Sequence, residues 1–327
     1  MVRRPVHGQL LGGVVTGGAS IARRGVAVVA LGAALLGGCG GGEESPAPQR
    51  TQVVFGSSDW PESELLSVLF ARASQGEGYA TATLRGQDDT SARRVTADDI
   101  LRSATVDGVF DAYPTYAASE LAARTKQAPA GSDVDEVVAE LRSRYSPQGL
   151  TVLDPSPAVD RNALAVTKET ADRLDLRKTS DLASVSRQLI LGAPADCDQS
   201  PQCEQGLHDT YGISFRRIVA LDPGKPTVDA LERGDVQVAE IGSTDGYVRA
   251  KGMVILEDDK HLGDGDNVVL VVRRRLADDD TARSLWQDVL DQLSSSDLAE
   301  MNKRIQSDGE GVDTVAEEWL KAHGFLS

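Results

Sequence analysis

The sequence predicts an α/β protein of two lobes, each a mixed sheet flanked by helices, with two crossing strands between them. Three observations predict this class. Short apolar stretches of strand length alternate with amphipathic helical stretches over most of the 327 residues, the order that builds sheets covered by helices. A polar segment holding Pro155 and Pro157, running to Arg161, interrupts the alternation. Downstream, Asn267 to Val272, NVVLVV, is a near-continuous apolar run, as parallel strands covered on both faces show. Asn162 to Thr167 is read as the crossing into lobe 2 and Asn267 to Val272 as the return. Lobe 1 then comprises 52–160 and 262–327, and lobe 2 comprises 161–261.

Taken in order, the chain opens with basic pairs at Arg3, Arg4, Arg23 and Arg24, then the apolar run GVAVVALGAALL at 25–36. That run is too short to span a bilayer as a stable helix and reads as the core of a signal peptide. Leu36-Gly37-Gly38-Cys39 follows directly and resembles a bacterial lipobox. Residues 1–38 are therefore read as a signal peptide and Cys39 as the lipid-modified first mature residue. The stretch 39–51, rich in Gly, Ser and Pro, is a flexible tether. The whole chain has a formal charge of −16, and because four arginines and no acid stand ahead of Cys39, the mature part carries 30 − 50 = −20, a field that repels nucleic acid and mildly favours small cations.

Thr51 to Gly56 reads as a strand. Asp59 and Glu62 stand at capping-box spacing before a helix that carries Leu65, Leu66, Leu69 and Phe70 inward and stops at Gly76. Tyr79 to Leu84 is a strand, Thr96 to Ala104 a short helix, Asp133 to Tyr145 an amphipathic helix and Leu150 to Leu153 a strand. Beyond the crossing lie a helix at 169–174 and strands at 189–192, 215–221, 236–241 and 253–256, with a helix at 228–233 among them. Helices at 280–293, 296–306 and 312–322 close the chain.

The stretch around which these elements gather is VFDAYPTYAASEL, 109–121. It reads as a buried strand ending near Tyr113, because the residue before Pro114 is held extended and the proline cannot donate to a ladder. A helix start follows, with Tyr116 and Ser119 three apart on one face at the carboxyl edge of a sheet, where open α/β sheets bind ligands. Packing of both tyrosines beneath the sheet edge is the competing reading.

Enzyme chemistry finds no support. His208, His261 and His323 have no partner at metal or triad spacing, and there is no phosphate-binding loop, nucleophile elbow or dinucleotide fingerprint. No cofactor or metal is expected. The acidic stretch Glu257 to Asp266 lacks the spacing of a calcium loop and reads as a solvated turn. Cys197 and Cys203, in CDQSPQC, allow one disulfide in an exported compartment and offer too few ligands for a metal.

Six stretches, FGSSDWPES (55–63), DAYPTYAAS (111–119), DPSPAVDRNALAV (154–166), TYGISF (210–215), STDG (243–246) and LEDDKH (256–261), together resemble the glycine betaine/choline-type, ProX-like substrate-binding proteins of ABC importers. The resemblance spans 52–327. It implies a type II periplasmic-binding-protein fold that captures a small osmoprotectant-class solute in the interlobe cleft. It also implies a monomer, held extracytoplasmically at the cell membrane by its lipid, that serves an ABC permease and its ATPase. Such proteins enclose a quaternary ammonium in aromatic rings. Tyr116 matches a ring position, Ser119 a hydroxyl and Ser58 a polar contact, whereas Asn162, Gly242 and Asp266 fall at ring positions without being aromatic. Trp60 offers a further ring, or else packs over the helix start. Two alternatives stand beside this reading: the same transport role for a different polar or hydroxylated ligand, and a solute-sensing lipoprotein outside transport.

Overall fold

The computed structural model describes residues 50–58, 61–85, 110–125, 133–198, 200, 202–262 and 265–327. Cys39, Asp59, Trp60 and the helix expected at 96–104 lie outside them.

The first sheet begins with β1 (Arg50–Ser57), α1 (Pro61–Gly76) and β2 (Tyr79–Arg85), with β2 parallel to β1 because α1 returns the chain across the sheet. After β3 (Ala112–Tyr116), α2 (Ala117–Thr125), α3 (Val134–Tyr145), β4 (Leu150–Val152) and β5 (Val159–Asp160), the sheet is completed by the distant β11 (Asp266–Arg273). The order is β2-β1-β3-β11-β4, with β5 on the first residues of β11. The second sheet, β10-β6-β9-β7-β8, is built from β6 (Asn162–Val166), β7 (Ile190–Ala193), β8 (Arg217–Ala220), β9 (Val238–Gly242) and β10 (Val254–Ile255). Its helices are α4 (Lys168–Leu174), α5 (Glu204–Tyr211), α6 (Lys225–Arg233) and α7 (Gly246–Ala250). The last four helices are α8 (Arg274–Ala277), α9 (Asp280–Gln292), α10 (Ser295–Gln306) and α11 (Val312–Ala322).

Four expectations are corrected. The run 267–272 is buried on both faces but antiparallel to both β3 and β4. Val268, Leu270 and Val272 enter the core shared with Phe55, Phe70 and Trp286, while Val269 and Val271 enter the core of Tyr113, Leu141 and Tyr145. An unbroken apolar run reports two covered faces and is silent on direction. At roughly 1.5–3 kcal/mol per fully buried aliphatic side chain, these five hold β11 at the centre of the sheet.

The strand expected to stop near Tyr113 continues through Pro114 to Tyr116. Pro114 stands opposite Leu270, whose carbonyl faces away from β3 and accepts from Leu153 N at 3.0 Å. The missing N–H thus falls at a non-hydrogen-bonded position of the β3–β11 ladder, and on its other side β3 pairs with β1 only at Ala112. Neither expected crossing strand pairs in both sheets. The chain passes from β5 to β6 at Arg161 and returns between β10 and β11.

In the acidic stretch Glu257 to Asp266, expected as a solvated turn, the described aspartates Asp258, Asp259 and Asp266 are all engaged by donors. Asp258 accepts from the Tyr211 hydroxyl and from Leu262 N, and Asp259 accepts from Ser180, so the acids clasp the loops of the second sheet and tie TYGISF to LEDDKH. The Sγ atoms of Cys197 and Cys203 lie at bonding distance, with Cα atoms 5.1 Å apart.

The second sheet touches the first-sheet core where α7 meets α10. Gly246 opens α7 against the α10 backbone, and a Cβ there would overlap the Asn302 carbonyl and Lys303 N. Backbone on both sides leaves nothing flexible to yield. Gly246→Ala is expected to cost about 1–3 kcal/mol, seen as a lowered urea midpoint. Unchanged stability would show that the two helices separate freely.

Candidate functional site

A cleft of about 750 Å³ opens between the two sheets, lined from both. Its acidic groups are fixed by local backbone geometry. Tyr116 is the last residue of β3, and Ser119 lies in the first turn of α2. Across from them Asp266, the first residue of β11, accepts from Ala118 N at 2.7 Å and Ser119 N at 2.8 Å, so its charge sits on the exposed amides of that helix. Asp160 ends β5, and its Oδ1 accepts from Ser243 Oγ and Thr244 N, each at 3.1 Å. Asp245 caps α7 by accepting from Tyr247 N and Val248 N at 2.8 and 3.2 Å. Asn162 and Gly242 pair in register between β6 and β9, and a Cβ on Gly242 would approach Asp160 Oδ2 to 3.0 Å. The missing side chain makes room for that carboxylate.

Glu62, in the first turn of α1, is the most buried of the cleft acids. It accepts from Thr244 Oγ1 at 2.7 Å and from Asn302 Nδ2, and Asn302 Nδ2 also donates to the Thr244 carbonyl at 3.0 Å. Burial, with Asp160 and Asp245 nearby, raises its carboxyl from 4.5 to about 7 although Thr244 and Asn302 favour the anion. Burial also raises Asp245 against the pull of its two backbone N–H donors. Among the described residues the basic groups of the cleft lining are Arg161 and Lys225, and Lys225 Nζ is engaged by Asp229 at 2.6 Å.

Of the residues singled out from sequence, Tyr116, Ser119, Asn162, Gly242 and Asp266 all line this cleft. Ser58 does not. It is buried, and its N–H donates to Ser63 Oγ at 2.9 Å. Ser63 thus reaches back toward the start of α1, and Glu62 Oε2 accepts from Thr244 and Asn302; the expected capping-box partner Asp59 lies outside the described residues. Sequence reasoning missed Glu62, Asp160, Asp245, Tyr247 and Asn302 as cleft residues. Asp160 and Asp245 stood inside quoted stretches, whereas nothing local marks Asn302.

Because the folded state holds the Glu62 proton more tightly than an unfolded chain, this group's stabilisation is complete below about pH 4.5 and is lost as pH rises through about 7. Glu240 has the same sign. Its carboxyl is pushed up to about 7 by burial and Asp196, and its Oε2 lies 2.8 Å from Cys203 Sγ. Glu62→Gln is expected to match the parent near pH 5 and exceed it by about 1–3 kcal/mol near pH 8, with Glu240 retaining part of the slope. Urea unfolding at the two pH values checks this, and a slope identical to the parent's would remove Glu62 from the account.

Residues 51–322 match the family described as the substrate binding domain of the ABC-type glycine betaine transport system. A glycine-betaine-binding protein of Pseudomonas aeruginosa is 23% identical over 300 residues, which cover 88% of this chain and 93% of that protein. Among solved structures, a glycine betaine/carnitine/choline ABC transporter protein aligns with TM-score 0.72 and 22% identity, over 84% of this chain and 99% of that one. YehZ of Escherichia coli aligns with TM-score 0.67 and 22% identity over the same shares of the two chains. Lactococcal OpuAC in its closed form with glycine betaine gives TM-score 0.52 and 16% identity, over 84% and 97%. These likenesses show the two-lobed fold, that of the type II periplasmic binding proteins. The family match goes further, and the chain belongs to the substrate-binding proteins of ABC-type glycine betaine transport systems.

Proposed function

We propose that the cleft is the solute site of an extracytoplasmic receptor, closing on its ligand and delivering it to an ABC permease driven by its ATPase. The observation that carries this reading is the cleft itself. Its walls come from two sheets joined by chain crossings at Arg161 and between β10 and β11, a geometry that permits hinge closure. Lobe 1 is assigned to 52–160 and 262–327, and lobe 2 to 161–261. Tyr116, Ser119, Asn162, Gly242 and Asp266 are assigned to the ligand, joined by Glu62, Asp160 and Asn302.

The relatives named for glycine betaine, choline and carnitine support a solute of that class. A second reading, a different polar solute, is favoured by one observation: the described lining holds four carboxylates and two tyrosine rings, Tyr116 and Tyr247. Mass spectrometry of what gentle denaturation releases from the purified protein, with small-angle scattering before and after that solute is returned, tests the receptor role. A released small solute that restores compaction is expected. A cleft that never yields or closes on any solute would sink the reading.

We further propose that Cys39 carries lipid, that the protein works as an anchored monomer, and that Cys197 and Cys203 form a disulfide. A loop this short contributes about 2 kcal/mol on the chain-entropy model. No helix among the described residues is long and apolar enough to cross a membrane. Peptide mapping without reductant should find an acylated peptide beginning at Cys39 and neither Cys197 nor Cys203 open to alkylation. An unmodified Cys39 ends the anchoring proposal, and two alkylated thiols end the disulfide.

A further inference from the structure

Resting on the reading of the cleft as a solute site, we infer that its ligand is a protonated primary or secondary amine, recognised through N–H donors, and not a quaternary ammonium. The first ground is charge. Glu62, Asp160, Asp245 and Asp266 face a cleft whose described lining holds two basic residues, Arg161 and Lys225, the latter already paired with Asp229. Neighbouring backbone amides hold Asp160 and Asp245 by Oδ1. No described residue donates to the second oxygen of either, so each keeps an acceptor for an incoming donor.

The second ground is independent of charge. Asn302 is 1% exposed and lines the cleft. Its Nδ2 donates to Glu62 and to the Thr244 carbonyl, and because both are acceptors the amide can stand only this way round. Asn302 Oδ1 is thereby left buried with no donor among the described residues. The hydroxyl of Tyr116, another residue of the cleft lining, is likewise buried with no partner among the described residues. Buried polar groups in native proteins are hydrogen-bonded as a rule, and an orphaned amide oxygen accepts but cannot donate. The cleft therefore asks for a cation that brings donors. An ammonium with two or three N–H groups meets that demand. A trimethylammonium has none and binds through ring faces, of which the described lining has two.

The test is calorimetric titration of the full-length chain with ethanolamine, N-methylethanolamine, N,N-dimethylethanolamine and choline. All four carry one positive charge and the same hydroxyethyl arm, and they differ in how many N–H groups methyls have replaced. Affinity should fall along the series, with ethanolamine about tenfold or more tighter than choline. Tyr116→Phe, which removes only an unpartnered hydroxyl and leaves the packing ring, should narrow that gap. Asn302→Leu should narrow it further, with thermal melts confirming that each variant folds. Choline binding as tightly as ethanolamine, or more tightly, overturns the inference and leaves the receptor reading standing. Should none of the four bind, the co-purified solute decides: a cation bearing N–H supports the inference and any other solute overturns it. Failure of every solute to close the cleft would strike the receptor reading instead.

Discussion

The two halves of this molecule meet on a buried carboxylate. Glu62 belongs to α1, whose stripe of Leu65, Leu66, Leu69 and Phe70 is locked into the first-sheet core. Its partners are Thr244, just past the end of β9 in the second sheet, and Asn302 of α10. Three segments with no local relation are thus tied at one point, and the tie is polar. A buried acid is tolerated only with donors in place, so Thr244 and Asn302 must stand where they do. The close approach of α7 to α10 at Gly246 keeps them there.

The same requirement explains how four acids share one cleft in a chain of formal charge −16. Each is held at an end of regular structure where N–H groups are exposed or hydroxyls converge: Asp266 on the start of α2, Asp245 on the start of α7, Asp160 on Thr244 N and Ser243 Oγ, and Glu62 on Thr244 and Asn302. Helix starts favour negative charge for reasons that involve no ligand, which accounts for the stability of the arrangement. What they do not account for is the orphaned amide oxygen of Asn302 and the orphaned Tyr116 hydroxyl, and those carry the inference about the solute. The anion-favouring frame and the donor-poor cleft are two consequences of one construction.

Rigidity is unevenly distributed around this site. β11 is covered on both faces by separate cores and bears Asp266 at its first residue, so one wall of the cleft is anchored as firmly as anything in the fold. The opposite wall, with Asn162 and Gly242, belongs to a sheet reached through the crossing at Arg161 and the segment between β10 and β11. A cleft with one fixed wall and one tethered wall is suited to capture by closure.

From sequence alone, apolar periodicity placed the helices at 61–76, 134–145, 280–292 and 312–322 to within a residue or two, because a stripe every three or four residues is a local property. The resemblance brought Tyr116, Ser119, Asn162, Gly242 and Asp266 to one cleft, since these stand in or beside stretches whose neighbours also match. Pairing partners were not legible. Pro114 looked like a strand end until β11 put Leu270 opposite it, and NVVLVV looked parallel because burial on two faces carries no direction. Nothing near Glu62 in the sequence announced Thr244 and Asn302, which lie 182 and 240 positions away. Local pattern determines which faces of an element shun water; only the tertiary structure decides which distant group meets a buried charge, because that choice depends on donors brought together by packing.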